Sequence, residues 1–134
     1  MKRLKPPKKG NKLWKIIIAP IITAFKPKPL THYIITRKDL LPNIGFLAAQ
    51  VTHAAGESIK EKVPPHTNAV VLSVEGEAGL IHLSEMLTEG QIPHVVITEV
   101  DEPYTGQVTA IGLEPVKDRN LVRPYLSSLP LLCN

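Results

Sequence analysis

One stretch of the chain, residues 37–55, constrains the fold more than any other. It reads as the end of a strand, a short turn containing Pro, Asn and Gly, and then a helix rich in small residues. Alanine favours a helix and adds almost no bulk, so this helix can lie close against a sheet. A helix that directly follows a buried strand is typical of α/β folds, in which the helix covers one face of the sheet.

The predicted helix carries a polar stripe and an apolar stripe. Gln50, His53 and Glu57 are spaced at i, i+3 and i+7, which places three polar groups on one side of the helix. The apolar residues form a second stripe that we expect to be buried, namely Leu47, Val51 and Ala54. Because α/β folds often place a site next to such a helix, the polar stripe is a candidate functional site.

Length and composition indicate one small globular domain with an extension. The chain has 134 residues, of which 43% are hydrophobic, enough for a modest core. The single cysteine, Cys133, excludes an internal disulfide framework and indicates a reducing compartment, so we expect a cytoplasmic protein. The five histidines are scattered without zinc spacing, and we therefore expect no metal and no cofactor.

Charge is distributed unevenly between the two parts of the chain. Residues 1–29, here called the basic arm, hold nine Lys/Arg and no acid, while the rest holds seven Lys/Arg and twelve acids, a net charge of −5. A block of like charge on an arm usually binds a polyanion, most commonly RNA. The residues predicted to bind RNA are Lys2, Arg3, Lys5, Lys8, Lys9 and Lys12.

The basic arm leaves several roles open. Residues 1–12 are rich in Lys, Pro and Gly and are predicted to be disordered. Residues 13–25 are mostly apolar, but this segment is too short to span a bilayer as a helix and Pro20 interrupts it, so we expect no transmembrane span. The alternatives are docking on the domain or a partner, targeting to an organelle, and association with a membrane surface.

Hydrophobic patterning over residues 30–134 predicts a single α/β domain. The predicted strands are residues 31–37, 68–74, 94–98 and 107–113, the second of them covered on both faces. The predicted helices are residues 45–62, 75–89 and 117–129, the last kinked or split by Pro124. The order βαβαββα predicts a three-layer α/β/α fold with a four-stranded mixed sheet, in which the parallel crossovers come first and the last strand is antiparallel.

Residues 37–55 also resemble a known family. Arg-x-Asp-Leu followed by Ala-Ala-Gln-x-x-His-Ala is similar to the second, bacterial-archaeal-eukaryotic family of peptidyl-tRNA hydrolases. The matching residues are Arg37, Asp39, Leu40, Gly45, Ala48, Ala49, Gln50, His53 and Ala54. Where the family has a Lys-Gly-Lys turn, this chain has Ile44 and Phe46 in place of the two lysines, as in a divergent branch that also lacks them.

The resemblance implies the same layout over residues 31–128 and a specific activity, hydrolysis of the ester that joins a peptide to the terminal ribose of a tRNA. This reaction needs a positioned water, a group that accepts its proton and donors for the developing oxyanion. Family members pair the helix histidine with a Thr-Asp after the third strand, where this chain has Thr98-Glu99. The resemblance therefore implies catalytic roles for His53 and Glu99, facing a common cleft with Gln50 at the carboxyl ends of the parallel strands.

The resemblance also implies a set of substrate-binding residues. These are Gln50, Arg37, Thr105 and Gln107. The last two correspond to a Thr-Gln pair of the family, although here Gly106 separates them and a longer turn precedes them. The partner implied is tRNA or peptidyl-tRNA, with the ribosome and a second copy of the chain left open. The alternative function is a catalytically inactive module of the same fold that binds tRNA or a ribosome.

Each of these residues also has a plainer interpretation. His53 is alternatively a packing residue, and Glu99 is alternatively part of a solvated acidic turn. Asp39 is expected to orient a helix N-terminus or the preceding arginine. Phe46 can stack on a base or simply pack in the core, and Glu77 is expected to complement a helix dipole.

Overall fold

The computed structural model describes residues 28–134, so the six predicted RNA-binding residues of the basic arm lie outside the described residues. The strands are β1 (Thr31–Arg37), β2 (Asn68–Val74), β3 (His94–Thr98) and β4 (Val108–Leu113). The helices are α1 (Ile44–Glu57), α2 (Glu77–Glu89) and α3 (Arg123–Leu126), with short 3-10 turns at Lys38–Leu40 and Arg119–Leu121. The predicted order βαβαββα is confirmed.

The four strands form one mixed sheet in the order β2-β1-β4-β3. Strand β1 pairs in parallel with β2, whereas β4 is antiparallel to both β1 and β3, as predicted for the last strand. Strands β1, β2 and β3 therefore run in the same direction and end at one edge, where β4 begins. We call this the carboxyl edge; it is where open α/β sheets usually place their sites.

Helices cover both faces of the sheet and produce the predicted three layers. Strand β1 is central, and all seven of its residues are buried. Tyr33 and Ile35 point into a core that also contains Leu80 and Leu87 of α2. Ile34 points to the opposite face and packs with Ala54 of α1. Alternate residues of β1 thus face different helices, since successive side chains of a strand point to opposite faces.

Helix α1 lies very close to the sheet, as its small residues predict. A methyl group added at Gly112 of β4 would collide with the carbonyl oxygen of Ala54 and with the side chain of Ser58. Ala54 itself is completely buried. The close approach therefore requires a glycine on the strand and an alanine on the helix.

Helix α1 is shorter than predicted and ends at Glu57 instead of continuing to residue 62. The hydroxyl of the next residue, Ser58, donates a hydrogen bond to the carbonyl of Ala54 at 2.7 Å and is joined to His32 Nε2 at 2.8 Å. Side-chain bonds of this kind compete with continuation of a helix. The helix thus ends several residues before the two prolines that were expected to close it.

Strand β2 is an edge strand, and the predicted cover on both faces holds for its later residues, since Leu72 packs in the core under α2 and Val71 packs against the cluster that contains Ala54 of α1. Its first residues, Asn68 and Ala69, are exposed. The C-terminal segment partly protects its free edge, since Leu131 forms an antiparallel bridge with Leu72. Among the described helices, none is long and apolar enough to cross a membrane.

The predicted final helix is split into two short pieces, a 3-10 turn at Arg119–Leu121 and α3. Pro124 lies in the first turn of α3, where the missing N–H of proline costs nothing. The expected effect of Pro124 is confirmed, and it shifts the start of the helix beyond the predicted residue 117.

Candidate active site

Glu99 follows β3 directly at the carboxyl edge, and its carboxylate is held by three donors. Oε1 accepts hydrogen bonds from the backbone N–H groups of Val100 at 2.7 Å and Asp101 at 3.0 Å. Oε2 accepts one from Nε2 of Gln50 at 2.8 Å. The N–H groups of Asp101 and then Val100 lower the pKa of Glu99, with smaller contributions from Gln50 and from the charge of His53. Glu99 is therefore a fixed, ionised carboxylate at neutral pH.

Gln50 connects this carboxylate to the centre of the sheet. It is almost completely buried on α1, and its Oε1 accepts a hydrogen bond from the hydroxyl of Thr109 on β4. Because Oε1 is bound to Thr109, Nε2 is turned towards Glu99. The backbone carbonyl of Thr109 in turn accepts a hydrogen bond from the Thr36 hydroxyl at 2.9 Å. A continuous polar chain thus joins β1, β4, α1 and the end of β3.

His53 lies one helical turn after Gln50 and is exposed. Because His53 shares α1 with Gln50, which contacts Glu99, the two groups lie on the same side of the sheet, and the charge of His53 helps to lower the pKa of Glu99. The structure therefore brings Gln50 and Glu99 into contact and leaves His53 next to them with access to solvent. The catalytic roles of His53 and Glu99 stay predictions.

Arg37 ends β1 at the same edge but points to the opposite face. Its Nε and Nη2 donate to the two carboxylate oxygens of Asp39 at 3.0 and 2.8 Å. Its Nη1 donates to Gln107 Oε1 at 2.8 Å and to the carbonyl of Val108 at 3.2 Å, and lies 3.7 Å from Glu77 Oε2. The hydrogen bonds to Asp39 are the main reason that the pKa of Arg37 is raised.

These contacts change the interpretation of Arg37 as a substrate-binding residue. Its side chain is 8% exposed and faces α2, because it has the same parity along β1 as Tyr33 and Ile35. The guanidinium is thus buried and engaged by protein groups, on the other side of the sheet from Gln50. Of the two roles expected for Asp39, orientation of the arginine is the one that the structure shows.

The remaining substrate-binding candidates lie in the turn between β3 and β4. Gln107 is half-buried, and its side-chain oxygen is bound to Arg37. Thr105 is exposed near the tip of the turn. The turn is closed by hydrogen bonds from Glu99 N to Gln107 O at 3.0 Å and from Gly106 N to Glu99 O at 2.8 Å. Gly106 has a φ of 79°, a conformation that glycine adopts without strain.

The two positions that depart from the family turn have different environments. Phe46 is half-buried and stacks on Tyr104, with ring centroids 4.5 Å apart and an angle of 21° between the rings. Of its two expected roles, packing against protein is the one observed. Ile44 is 65% exposed, and no contact within residues 28–134 accounts for an isoleucine at this position. The aromatic pair links the start of α1 to the turn that contains Thr105.

Three residues of this region were missed or underestimated from sequence. Glu77 was expected only to complement a dipole, yet its Oε2 accepts a hydrogen bond from Val108 N at 2.9 Å and faces Arg37. Thr109 places a hydroxyl in an otherwise apolar strand, a pattern that could have predicted a buried hydrogen bond. Tyr104 is a lone aromatic residue in an acidic turn, which could have predicted a packing contact such as the one with Phe46.

Comparisons with known proteins identify relatives of this chain. A family model described as "Peptidyl-tRNA hydrolase PTH2" matches residues 30–132. A protein named peptidyl-tRNA hydrolase from Haloquadratum walsbyi is 31% identical over 100 residues, which cover 67% of this chain and 89% of that protein. Another protein of that name, from Methanopyrus kandleri, is 29% identical over 111 residues, which cover 74% of this chain and 95% of that protein.

Proposed function

The chain belongs to the peptidyl-tRNA hydrolase PTH2 family, and from this premise we infer that it is an enzyme that hydrolyses the ester between a peptide and a tRNA. The family match extends over nearly all of the predicted domain, and the two named relatives are covered almost end to end. The observation that carries the proposed site is the 2.8 Å hydrogen bond between Gln50 and Glu99, with His53 one turn further along α1.

We assign proton transfer to His53. A water that attacks the ester must lose a proton, and an imidazole exchanges protons near neutral pH. Glu99 is poorly suited to that step, because both its oxygens already accept hydrogen bonds and its pKa is lowered. Its fixed negative charge instead stabilises the imidazolium that forms on His53. Gln50 acts as a positioning residue, since it holds Glu99 in place.

Gln107 and Thr105 are proposed to contact the substrate. Because Arg37 binds Oε1 of Gln107, the Nε2 amino group is the part of this side chain that remains to donate a hydrogen bond. The hydroxyl of Thr105 is exposed in the same turn. Such donors can stabilise negative charge that develops on the ester oxygen. Arg37 is then a positioning residue that acts through Gln107.

We further propose that the protein works in translation, releasing peptides from tRNA in the cytoplasm, as in ribosome rescue. The basic arm is proposed to supply affinity for tRNA. This proposal rests on charge alone: the arm holds nine Lys/Arg, whereas the remainder has a net charge of −5. The net negative charge of the domain opposes binding of a phosphate backbone, so the positive charge of the arm should favour it.

The test is single-turnover cleavage of a purified peptidyl-tRNA by the full chain and by two variants, His53→Ala and Glu99→Gln. His53→Ala removes the proton acceptor and is expected to slow cleavage by about 100-fold or more. Glu99→Gln removes the charge that stabilises the imidazolium and is expected to slow cleavage as well. Matched controls are His82→Ala and Glu85→Gln, because both residues are exposed on α2, on the other face of the sheet. Full activity of His53→Ala would contradict the site assignment, and tRNA binding without any cleavage by the wild type would indicate the inactive module instead.

A further inference from the structure

A concave site lies on the face of the sheet opposite Gln50 and Glu99. It is a cavity of about 380 Å³ between β1 and the segment that contains α3. We call it the arginine pocket, because Arg119 and Arg123 both line it. The apolar part of its lining belongs to Val122 and Leu126, which are buried in the core next to α2.

The lining of the arginine pocket is positive and contains no carboxylate. Besides the two guanidinium groups, the polar groups that line it are the phenol of Tyr33, the amide of Asn120 and the hydroxyl of Ser127. Within residues 28–134, neither arginine forms a salt bridge with an acidic side chain. The pocket thus combines two unneutralised cations with neutral hydrogen-bonding groups.

Arg119 is held in a defined orientation. Its Nε donates a hydrogen bond to the hydroxyl of Tyr33 at 2.7 Å, and its guanidinium carbon lies 5.8 Å from the centroid of that ring. Tyr33 is 6% exposed and belongs to the core, so it is a rigid anchor. Since only Nε is used in this contact, the two Nη groups remain for a ligand. Their planar fork matches the oxygens of a phosphate.

Positive charge is scarce elsewhere on the domain. Three of the seven Lys/Arg after residue 29 fall within residues 117–123. By contrast, Arg37 is buried among carboxylates, and Lys60 pairs with Glu114 at 3.0 Å. The nearest acid in the sequence, Asp118, does not line the pocket, and its carboxylate accepts a hydrogen bond from the backbone N–H of Asn120 at 2.9 Å.

We propose that the arginine pocket binds a phosphate group of the RNA, away from the scissile ester. The proposal rests on the inferred action on peptidyl-tRNA, and it adds a second contact point for that substrate. Tyr33 precedes the end of β1 by four residues, which places the pocket about 13 Å from the carboxyl edge along the strand. An RNA that enters the active site at this edge and continues past the sheet can reach the pocket on the face of α2 and α3.

The first test compares tRNA binding by the full chain and by the double variant Arg119→Gln, Arg123→Gln. Loss of two charge-assisted contacts is expected to weaken binding by at least about tenfold. The slope of log affinity against log salt should decrease by about one to two, because fewer counterions are released. The matched control is Lys117→Gln, which removes a nearby charge that does not line the pocket. A wild-type affinity and salt slope in the double variant would overturn the proposal, as would an equal loss in Lys117→Gln.

Two further measurements keep the outcome decisive. Arg123→Gln alone leaves the contact between Arg119 and Tyr33 intact, so a loss of tRNA affinity in this variant cannot be attributed to misfolding at Tyr33. Inorganic phosphate is titrated in parallel. If the variants lose affinity for phosphate while they bind tRNA normally, the pocket serves a free anion and the RNA proposal is wrong.

Steady-state cleavage over a range of peptidyl-tRNA concentrations separates this inference from the proposed activity. A pocket that only binds RNA predicts a raised KM and an unchanged kcat in the double variant. A change in kcat without a change in KM would contradict the binding role. If the wild type binds tRNA but does not cleave it, the proposed activity fails while the binding comparison still decides the role of the pocket.

Discussion

The side-chain amide of Gln50 donates a hydrogen bond to the carboxylate of Glu99 at 2.8 Å, and this contact joins the helix after β1 to the turn after β3. On its other side, the same amide accepts a hydrogen bond from Thr109 in β4. Gln50 is 3% exposed, and its contact with Thr109 is buried, whereas its contact with Glu99 is partly buried. A buried polar group is costly when it lacks a partner. The two hydrogen bonds of Gln50 therefore help to fix the orientation of Glu99 as long as the core is intact.

Replacement of Gln50 by leucine should destabilise the protein and remove one of the three hydrogen bonds that hold Glu99. The substitution leaves the Thr109 hydroxyl with only the long contact to the Ile97 carbonyl at 3.4 Å, and we expect the free energy of unfolding to fall by about 1–3 kcal/mol. Urea unfolding of Gln50→Leu, Thr109→Val and the double variant measures this. The double variant should lose less than the sum of the single losses, because both partners of one hydrogen bond are removed together. Additive losses would show that the two side chains do not interact.

The lowered pKa of Glu99 predicts a pH-dependent contribution to stability. A carboxylate whose pKa is depressed in the folded state stabilises that state above the pKa of the unfolded chain, near the ordinary value of 4.5. This contribution is lost as the pH falls through the folded-state pKa. The difference in unfolding free energy between the wild type and Glu99→Gln should therefore be full at pH 7 and shrink below about pH 4.5. A difference that is constant from pH 7 to pH 3 would contradict the assignment.

Arg37 should contribute mainly to stability. Arg37→Leu leaves Asp39 and Glu77 without their cation, but these carboxylates are 46% and 34% exposed and can be solvated, so we expect a loss of about 1–3 kcal/mol. Thermal or urea unfolding measures the loss. The neighbouring Lys38→Leu is the matched control and should change stability little, because Lys38 is less buried and outside the ion cluster. Equal losses of stability in the two variants would contradict a special role for the ion pairs of Arg37.

Much of the strand–turn–helix unit was predictable, but the face on which Arg37 lies was not. The alanines of α1 predicted a close approach to the sheet, and Ala54 meets Gly112 as expected. The face of a strand side chain is normally read from alternation of apolar and polar residues. Strand β1 is buried on both faces and shows no such alternation. The face to which Arg37 points is therefore defined only by contacts with residues distant in sequence, such as Glu77.

The site was predictable where it depends on local spacing and was not where it depends on long-range contacts. Gln50 and His53 share a helical stripe, a relationship that follows from helix geometry alone. The bond between Gln50 and Thr109 joins residues 59 positions apart, and no local pattern encodes it. The early end of α1 also depends on a long-range contact, the hydrogen bond between Ser58 and His32 of β1, which are 26 positions apart in the sequence.

The stack between Phe46 and Tyr104 should hold the β3–β4 turn against α1. An aromatic pair in this geometry contributes about 0.5–1.5 kcal/mol beyond the burial of its surface. Phe46→Leu and Tyr104→Leu should therefore each lower the free energy of unfolding, and the double variant should lose about 1 kcal/mol less than their sum. Amide hydrogen exchange of the turn should become faster in both single variants. Strict additivity, with unchanged exchange at Gly106, would show that the stack does not restrain the turn.

The basic arm should make tRNA binding steeply dependent on salt. Lysines spread along a segment can each neutralise a phosphate and release counterions, so with five or six contacts affinity should fall by about two to three decades between low and physiological salt. The test replaces the six predicted RNA-binding residues of the arm with glutamine in the full chain and measures tRNA binding at two salt concentrations. The variant should bind more weakly at low salt and show a smaller salt slope.

A control for the arm variant is Lys60→Gln with Lys62→Gln, which removes two exposed charges from the domain. Because Lys60 is already paired with Glu114, this control should change the salt slope much less than the arm variant does. The comparison separates a specific contribution of the arm from the general effect of lowering net charge on solubility and encounter rate. Equal affinities and equal salt slopes for the wild type and the arm variant would show that the arm serves targeting or membrane contact instead.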